Sequence, residues 1–158
     1  MKISNGDIFS IKINEKEYGV GLVVSQLKYE WYFVLFAEKF DIKNLPSSVT
    51  STLLTPILAS SSLDAKIHHK HWEIYAHEEN YNTFPLPLYK LEQTNGCVVV
   101  SFDEEIRKEF VTKEEEDIFK YRKTVAPVRL EKALKAYHGF GEWDSKYDEL
   151  RYENLIFN

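Results

Sequence analysis

Apolar and polar residues alternate near a two-residue period from Asp7 to Asn14, where Ile8, Ile11 and Ile13 mix with Phe9, Lys12 and Asn14. A half-buried strand has this pattern. Asn14-Glu15-Lys16-Glu17 is a polar turn, and Tyr18 to Val24 returns as a β-branched run that completes an opening hairpin over Gly6 to Leu27. Gly19 and Gly21 lie one pleat apart on one side of that run. They suit a sharply coiled strand or a close backbone approach. A phosphate loop is disfavoured, since no Gly-Lys-Ser/Thr follows and no helix starts after Gly21.

Glu30 to Phe36 is the densest apolar run and predicts a third strand, buried on both faces near the centre of a sheet. Lys39 to Ser51 is polar and reads as a loop. Pro56 argues against a helix interior, so a short strand is expected from about Leu54 to Ser61. Leu63 to His71 is a polar approach to a strand at Trp72-Glu-Ile-Tyr-Ala. Phe84-Pro85-Leu-Pro87 is extended, because each proline disfavours helix in its predecessor. Asn95-Gly96 is the turn of a late hairpin between Tyr89-Lys-Leu-Glu and Cys97 to Phe102.

The period changes after Phe102. Thr112-Lys-Glu-Glu115 is a capping box, and Glu114 to Asp117 place acids in the first helical turn, where the helix dipole favours them. Pro127 opens a second helix and Gly139 closes it, with Leu130, Ala133, Leu134 and Tyr137 on one apolar face. Trp143 to Tyr147 is a turn or short helix. Strands first and helices last indicate α+β: a strongly curled, mostly antiparallel sheet, a partial barrel, with two C-terminal helices in a single domain over 1–158.

Composition narrows the class. The chain has 158 residues, enough for one ordinary core. Hydrophobic residues at 44% and aromatics at 15% indicate a packed sheet protein, not a disordered chain. The net charge of −5 is spread as −2 over 1–79 and −3 over 80–158, which disfavours nucleic acid as a partner and favours a basic protein. Cys97, the single cysteine, allows no internal disulfide, and its apolar run reads as a buried inert thiol. The N-terminal residues lack an apolar signal segment and no window approaches a membrane span, so a cytoplasmic protein without membrane contact is expected.

The candidate chemistry is sparse. His68, His69 and His71 surround Lys70, point in different directions and have no acidic or cysteine ligand at a recognised spacing, so a solvated turn is favoured over a metal site. His77 beside Glu78 and Glu79 has the residue types of an acid–base pair, and a strand end explains them equally well. His138 closes a helix, a common structural place for imidazole. Two acidic runs remain: Asp103, Glu104 and Glu105, then Glu114, Glu115, Glu116 and Asp117. They read either as a solvated turn and helix start or as a negative patch for a basic partner. No cofactor, metal or catalytic group is expected.

The run Gly6-Asp7-Ile8-Phe9-Ser10-Ile11, followed by Tyr18-Gly19-Val20-Gly21-Leu22-Val23, resembles the opening of the immunity protein 26 family. Pro56-Ile57-Leu58, Trp72-Glu-Ile-Tyr as the central tryptophan strand, Phe84-Pro85-Leu-Pro87, and helices near Thr112 and after Ala126-Pro127 keep that family's order. His71 and Ala76 stand where the family pattern has glycines. The resemblance implies a non-catalytic bacterial immunity protein that binds and neutralises a cognate polymorphic toxin domain. Many such toxins act on nucleic acids through basic surfaces, which suits an acidic inhibitor. The opening is also similar to that of small-barrel endoribonucleases of toxin–antitoxin pairs. Those need a basic groove and an arginine–proline step, and neither is present here. A small-ligand barrel lined by Trp31, Phe33 and Tyr75 is a third reading.

Overall fold

The computed structural model describes residues 2–110 and 112–157. Among the described residues nine strands occur in chain order: β1 (Asp7–Lys12), β2 (Tyr18–Leu27), β3 (Glu30–Phe36), β4 (Pro56–Ser62), β5 (Trp72–His77), β6 (Leu88–Gln93), β7 (Gly96–Ser101), β8 (Arg107–Glu109) and β9 (Thr124–Val125). Helices α1 (Ala65–His68), α2 (Lys113–Ile118) and α3 (Pro127–Tyr137) are joined by short 3-10 turns, among them Ser145–Leu150. One sheet has the order β5-β1-β2-β3-β4-β9 and the other β6-β7-β8. Every pairing is antiparallel except β4 with β9.

The large sheet is buried on both faces. On one side Phe9, Ile11, Val23, Trp31, Phe33 and Trp72 meet Leu130, Ala133 and Leu134 of α3, with Ile67 of α1 and Leu150 joining them. On the other side Ile8, Leu22, Tyr32, Val34 and Phe36 meet Tyr89 of β6 and Phe102 after β7, together with Val49 and Leu54. The molecule is therefore helices, sheet and smaller sheet in three layers. Its middle strand β3 supplies alternate side chains to both cores, which is why its sequence is unbroken apolar.

Gly19 and Gly21 serve close approach, one of the two roles their spacing suggested. A Cβ on Gly21 would lie 2.3 Å from Phe9 Cζ and 2.8 Å from Leu35 Cδ2; one on Gly19 would lie 2.8 Å from Leu134 Cδ2. The bare backbone lets Phe9 lie across β2 and stack on Trp72, with ring centroids 5.1 Å apart and planes 9° from parallel.

Several expectations are corrected. The sheets are neither strongly curled nor closed: β5 and β9 remain edges, because the glycine side of β2 is filled by neighbouring side chains instead of folding over itself. The Trp72 strand is an edge strand, not a central one. Helix is not confined to two C-terminal segments, since α1 forms in the stretch read as a polar approach and Ile67 is its buried contact. Tyr137 leaves the α3 face and is half-exposed, while Leu130, Ala133 and Leu134 are fully buried. Trp31, Phe33 and Tyr75 line no common lumen. The first two join the helix-side core with Trp72 and Ile74, while strand alternation turns Tyr75 to the opposite one, where a bulge between the Phe9–Ile74 and Ile8–Ala76 pairs keeps Ala76 beside it.

Two part-buried polar devices fasten the layers. Trp72 Nε1 donates to Glu131 Oε1 of α3 at 3.1 Å, and Lys66 of α1 reaches Glu131 Oε2 at 3.2 Å, so one carboxylate joins the edge strand to both helices. Arg122 donates to Glu30 Oε2 through Nη2 at 2.7 Å and to Phe102 O through Nη1 at 2.7 Å, and lies 4.7 Å from the Phe102 ring centroid. It thereby ties β3 to the end of β7.

Candidate partner surface

The two acidic runs flank β8, one in the turn before it and the other on α2 after it. Asp103 is occupied within its turn: Oδ1 accepts from Ser101 Oγ at 2.6 Å and from Glu105 N at 3.1 Å. Glu104 takes a positive φ of 63° and lies 3.8 Å from Arg122 Nη1, while Glu105 is exposed. On α2 the cap forms as its sequence predicts, with Thr112 Oγ1 accepting from Glu115 N at 3.0 Å. Lys113 is 3.5 Å from Glu116 and 3.3 Å from Asp117, and these partners, Asp117 first, raise its pKa. Glu114 is exposed. The seven acids are therefore not equivalent. Asp103 shapes a turn, Glu104 borders the Arg122 ion pair, and Glu105 and Glu114 carry the most open charge.

The same Arg122 pair sets Glu30. Burial pushes the Glu30 carboxyl up, but hydrogen bonds from Thr124, Arg122 and Ser61, with the Arg122 charge, outweigh it and hold the pKa below the ordinary value. This carboxylate stays charged to keep the layers joined.

Beside α2 the surface opens into a cleft of about 90 Å³. Two remote segments create it by sharing the outer edge of β6. Leu88 N donates to Ile156 O at 2.8 Å, and Lys90 N donates to Lys120 O at 2.9 Å. Between these strips lie Leu88, Val125 and Leu150 as apolar walls, with Leu155 on the far side. Ile118 and Tyr121 form a lip and are 64% and 54% exposed, unusual for such large apolar side chains.

The remaining candidates resolve as follows. The His68, His69 and His71 side chains are exposed, with adjacent rings 5.3 and 6.4 Å apart. Among the described residues no group of three His, Cys, Asp or Glu side chains is placed to hold a metal ion. His77 and Glu78 do not pair. His77 Nδ1 lies 3.5 Å from Asp7, whereas Glu78 is buried and turned toward the loop at 48–50. Glu78 Oε1 accepts from Ser48 Oγ at 2.7 Å, Val49 N at 2.9 Å, Thr50 N at 2.9 Å and Thr50 Oγ1 at 3.0 Å. His138 ends α3, and burial first, then the Lys39 charge, lowers its pKa. Cys97 is partly exposed instead of buried, and its Sγ is 3.8 Å from the Tyr121 hydroxyl. No helix among the described residues is long and apolar enough to cross a membrane.

Sequence reasoning named Glu78 only as half of an acid–base pair. Its true partners lie about thirty residues away on a loop whose path no local pattern reveals. The cleft was also missed, because its walls come from four separate segments. Ile118 and Tyr121 carried the available sign, large apolar residues set directly after an acidic helical turn. Compared with protein-family models, curated proteins and solved structures, the chain matches none.

Proposed function

We propose that this protein is a non-catalytic immunity factor that binds a cognate bacterial toxin domain, with a basic surface on the toxin facing the acids around β8. The observation that carries this reading is α2: four consecutive acids on a short capped helix, next to an exposed apolar lip. Charge of this kind speeds encounter with a basic partner, and an apolar neighbour supplies the short-range contact that charge alone lacks. The resemblance of the Gly6 to Val23 hairpin to immunity protein 26 points the same way. The work is binding, done in the cytoplasm of the cell that makes the toxin.

The test is co-expression with the toxic C-terminal domain encoded by the neighbouring gene. The chain should restore growth and co-purify with the toxin domain. Glu114→Gln with Glu116→Gln should slow association and flatten its salt dependence while leaving the fold intact, because exposed charges are screened beyond about 10 Å at 0.1 M salt. Unprotected growth with every neighbouring toxin domain would refute the function. Unchanged association rate and salt dependence in the variant would remove the acids from it.

A further inference from the structure

We propose that the cleft beside β6 is a binding site for a short aliphatic carboxylate, with the hydrocarbon chain between Leu88, Val125 and Leu150 and the carboxylate held by Tyr89 and Lys120. This function stands apart from toxin binding and needs no partner protein. The cavity of about 90 Å³ has room for on the order of six to nine heavy atoms, at roughly 10–15 Å³ for each water-sized group. Butanoate and hexanoate are of that size, whereas a nucleotide or the long chain of a membrane lipid is too large. Leu88, Val125 and Leu150 are buried residues of β6, β9 and the Ser145–Leu150 turn, so the apolar walls stand before a ligand arrives.

Two features of the cleft choose the ligand. The first is Tyr89, a wall residue only 8% exposed, whose hydroxyl has no hydrogen-bond partner among the described residues. A buried hydroxyl left in that state has lost its hydration with nothing in exchange. Burial pushes its pKa up to about 12, with Arg122 opposing and Glu30 adding, so the group keeps a proton to donate at neutral pH. An acceptor in the cleft satisfies it.

The second feature is the sign of the charge. Lys120, Lys123 and Glu149 line the cleft. Glu149 is neutralised twice, by Lys123 at 3.0 Å and by Arg129 at 3.3 Å. Lys120 is exposed, and its side chain has no partner among the described residues. Lys90, 4.6 Å from the Tyr121 ring centroid, brings a further ammonium to the lip. The nearest acids of α2 do not offset these charges, because Glu116 and Asp117 lie 3.5 and 3.3 Å from Lys113. Lysines around an apolar cavity that also holds an unsatisfied donor select an anion with a hydrocarbon tail. An amine of the same length meets like charge, and an inorganic anion leaves the apolar walls unfilled.

The experiment uses the full chain, with hexanoate as the probe and 1-hexanol and hexylamine as controls of equal chain length. Each is titrated to millimolar concentration while backbone amides are followed by NMR. Hexanoate should shift the amides of Leu88, Tyr89, Val125 and Leu150 saturably and raise Tm as its concentration rises. Hexylamine should leave them in place, and 1-hexanol should bind at least about fivefold more weakly. Lys120→Gln changes an exposed side chain, so the fold should stay intact while hexanoate weakens by about two- to fivefold, as for an exposed ion pair. Tyr89→Phe keeps the ring and removes the donor, and should weaken hexanoate by at least about tenfold. If that variant does not fold, Lys120→Gln and the amine control decide. No saturable shift at the cleft, equal binding of hexanoate and hexylamine, or wild-type hexanoate affinity in Lys120→Gln would each overturn the carboxylate site.

Discussion

Glu78 gives the sharpest test of how this fold is held. It is a buried carboxylate that must remain charged, since two hydroxyls and three backbone amides, Asn80 N among them, donate to it. Burial pushes its carboxyl up, and these donors overcome that and pull it from 4.5 down to about 2. With the folded value below the unfolded one, the stabilisation is complete above about pH 5 and is lost as the pH falls toward 2. The difference between 4.5 and about 2 corresponds to about 3 kcal/mol. Glu78→Gln keeps the shape but removes the charge and turns an amide N–H₂ toward groups that themselves donate. It should cost about 2–4 kcal/mol at pH 7 and lower Tm by roughly 5–15 °C. Urea unfolding measured from pH 7 to pH 3 checks this. Wild-type stability should fall more steeply in acid than that of the variant, so the two curves converge. Hydrogen exchange at Val49 and Thr50 should accelerate in the variant at neutral pH. Parallel pH profiles would show that the carboxylate is not held as described.

Leu134→Ala removes a fully buried side chain that lies over Gly19, and chemical denaturation should show a loss of about 2–5 kcal/mol. An unchanged midpoint would mean that α3 does not seal the sheet. Gly21→Ala drives a methyl into Phe9, whose ring is pinned by Trp72, and should cost roughly 1–3 kcal/mol with a change in near-ultraviolet circular dichroism. Wild-type spectra and stability in that variant would refute the close packing.

Local chemistry made much of the fold readable. The Thr112 cap and the Pro127–Gly139 limits each specify one conformation within a few residues, and each forms. The strand at Asp7–Lys12 forms too, but buried on both faces, and the late hairpin forms with Thr94 and Asn95 as its turn and Gly96 already in β7. The unbroken run at Glu30 to Phe36 signalled burial on both faces, and two cores meet there. What was hidden is non-local. Nothing near Leu88 or Lys90 announces that β6 to β8 make a separate sheet lying over the first. The paired glycines are compatible with either coiling or close approach, and only the distant Leu134 and Leu35 decide between them. At the candidate surface the charges were visible as composition, but not that Asp103 closes its own turn through Ser101, nor that the distant Arg122 lies beside Glu104.

The sharing of the β6 edge has a consequence for synthesis. The β6–β7 hairpin leaves the ribosome before either strip that covers its outer N–H groups, and the Ile156 strip follows on the order of seconds later at roughly 5–20 residues per second. During that interval β6 offers the open N–H groups of Leu88 and Lys90 to any neighbouring nascent chain. The late segments therefore close that edge only once they are made. Shortening the chain before Leu155 should show its first effect as inclusion bodies, with the lost melting temperature a secondary symptom.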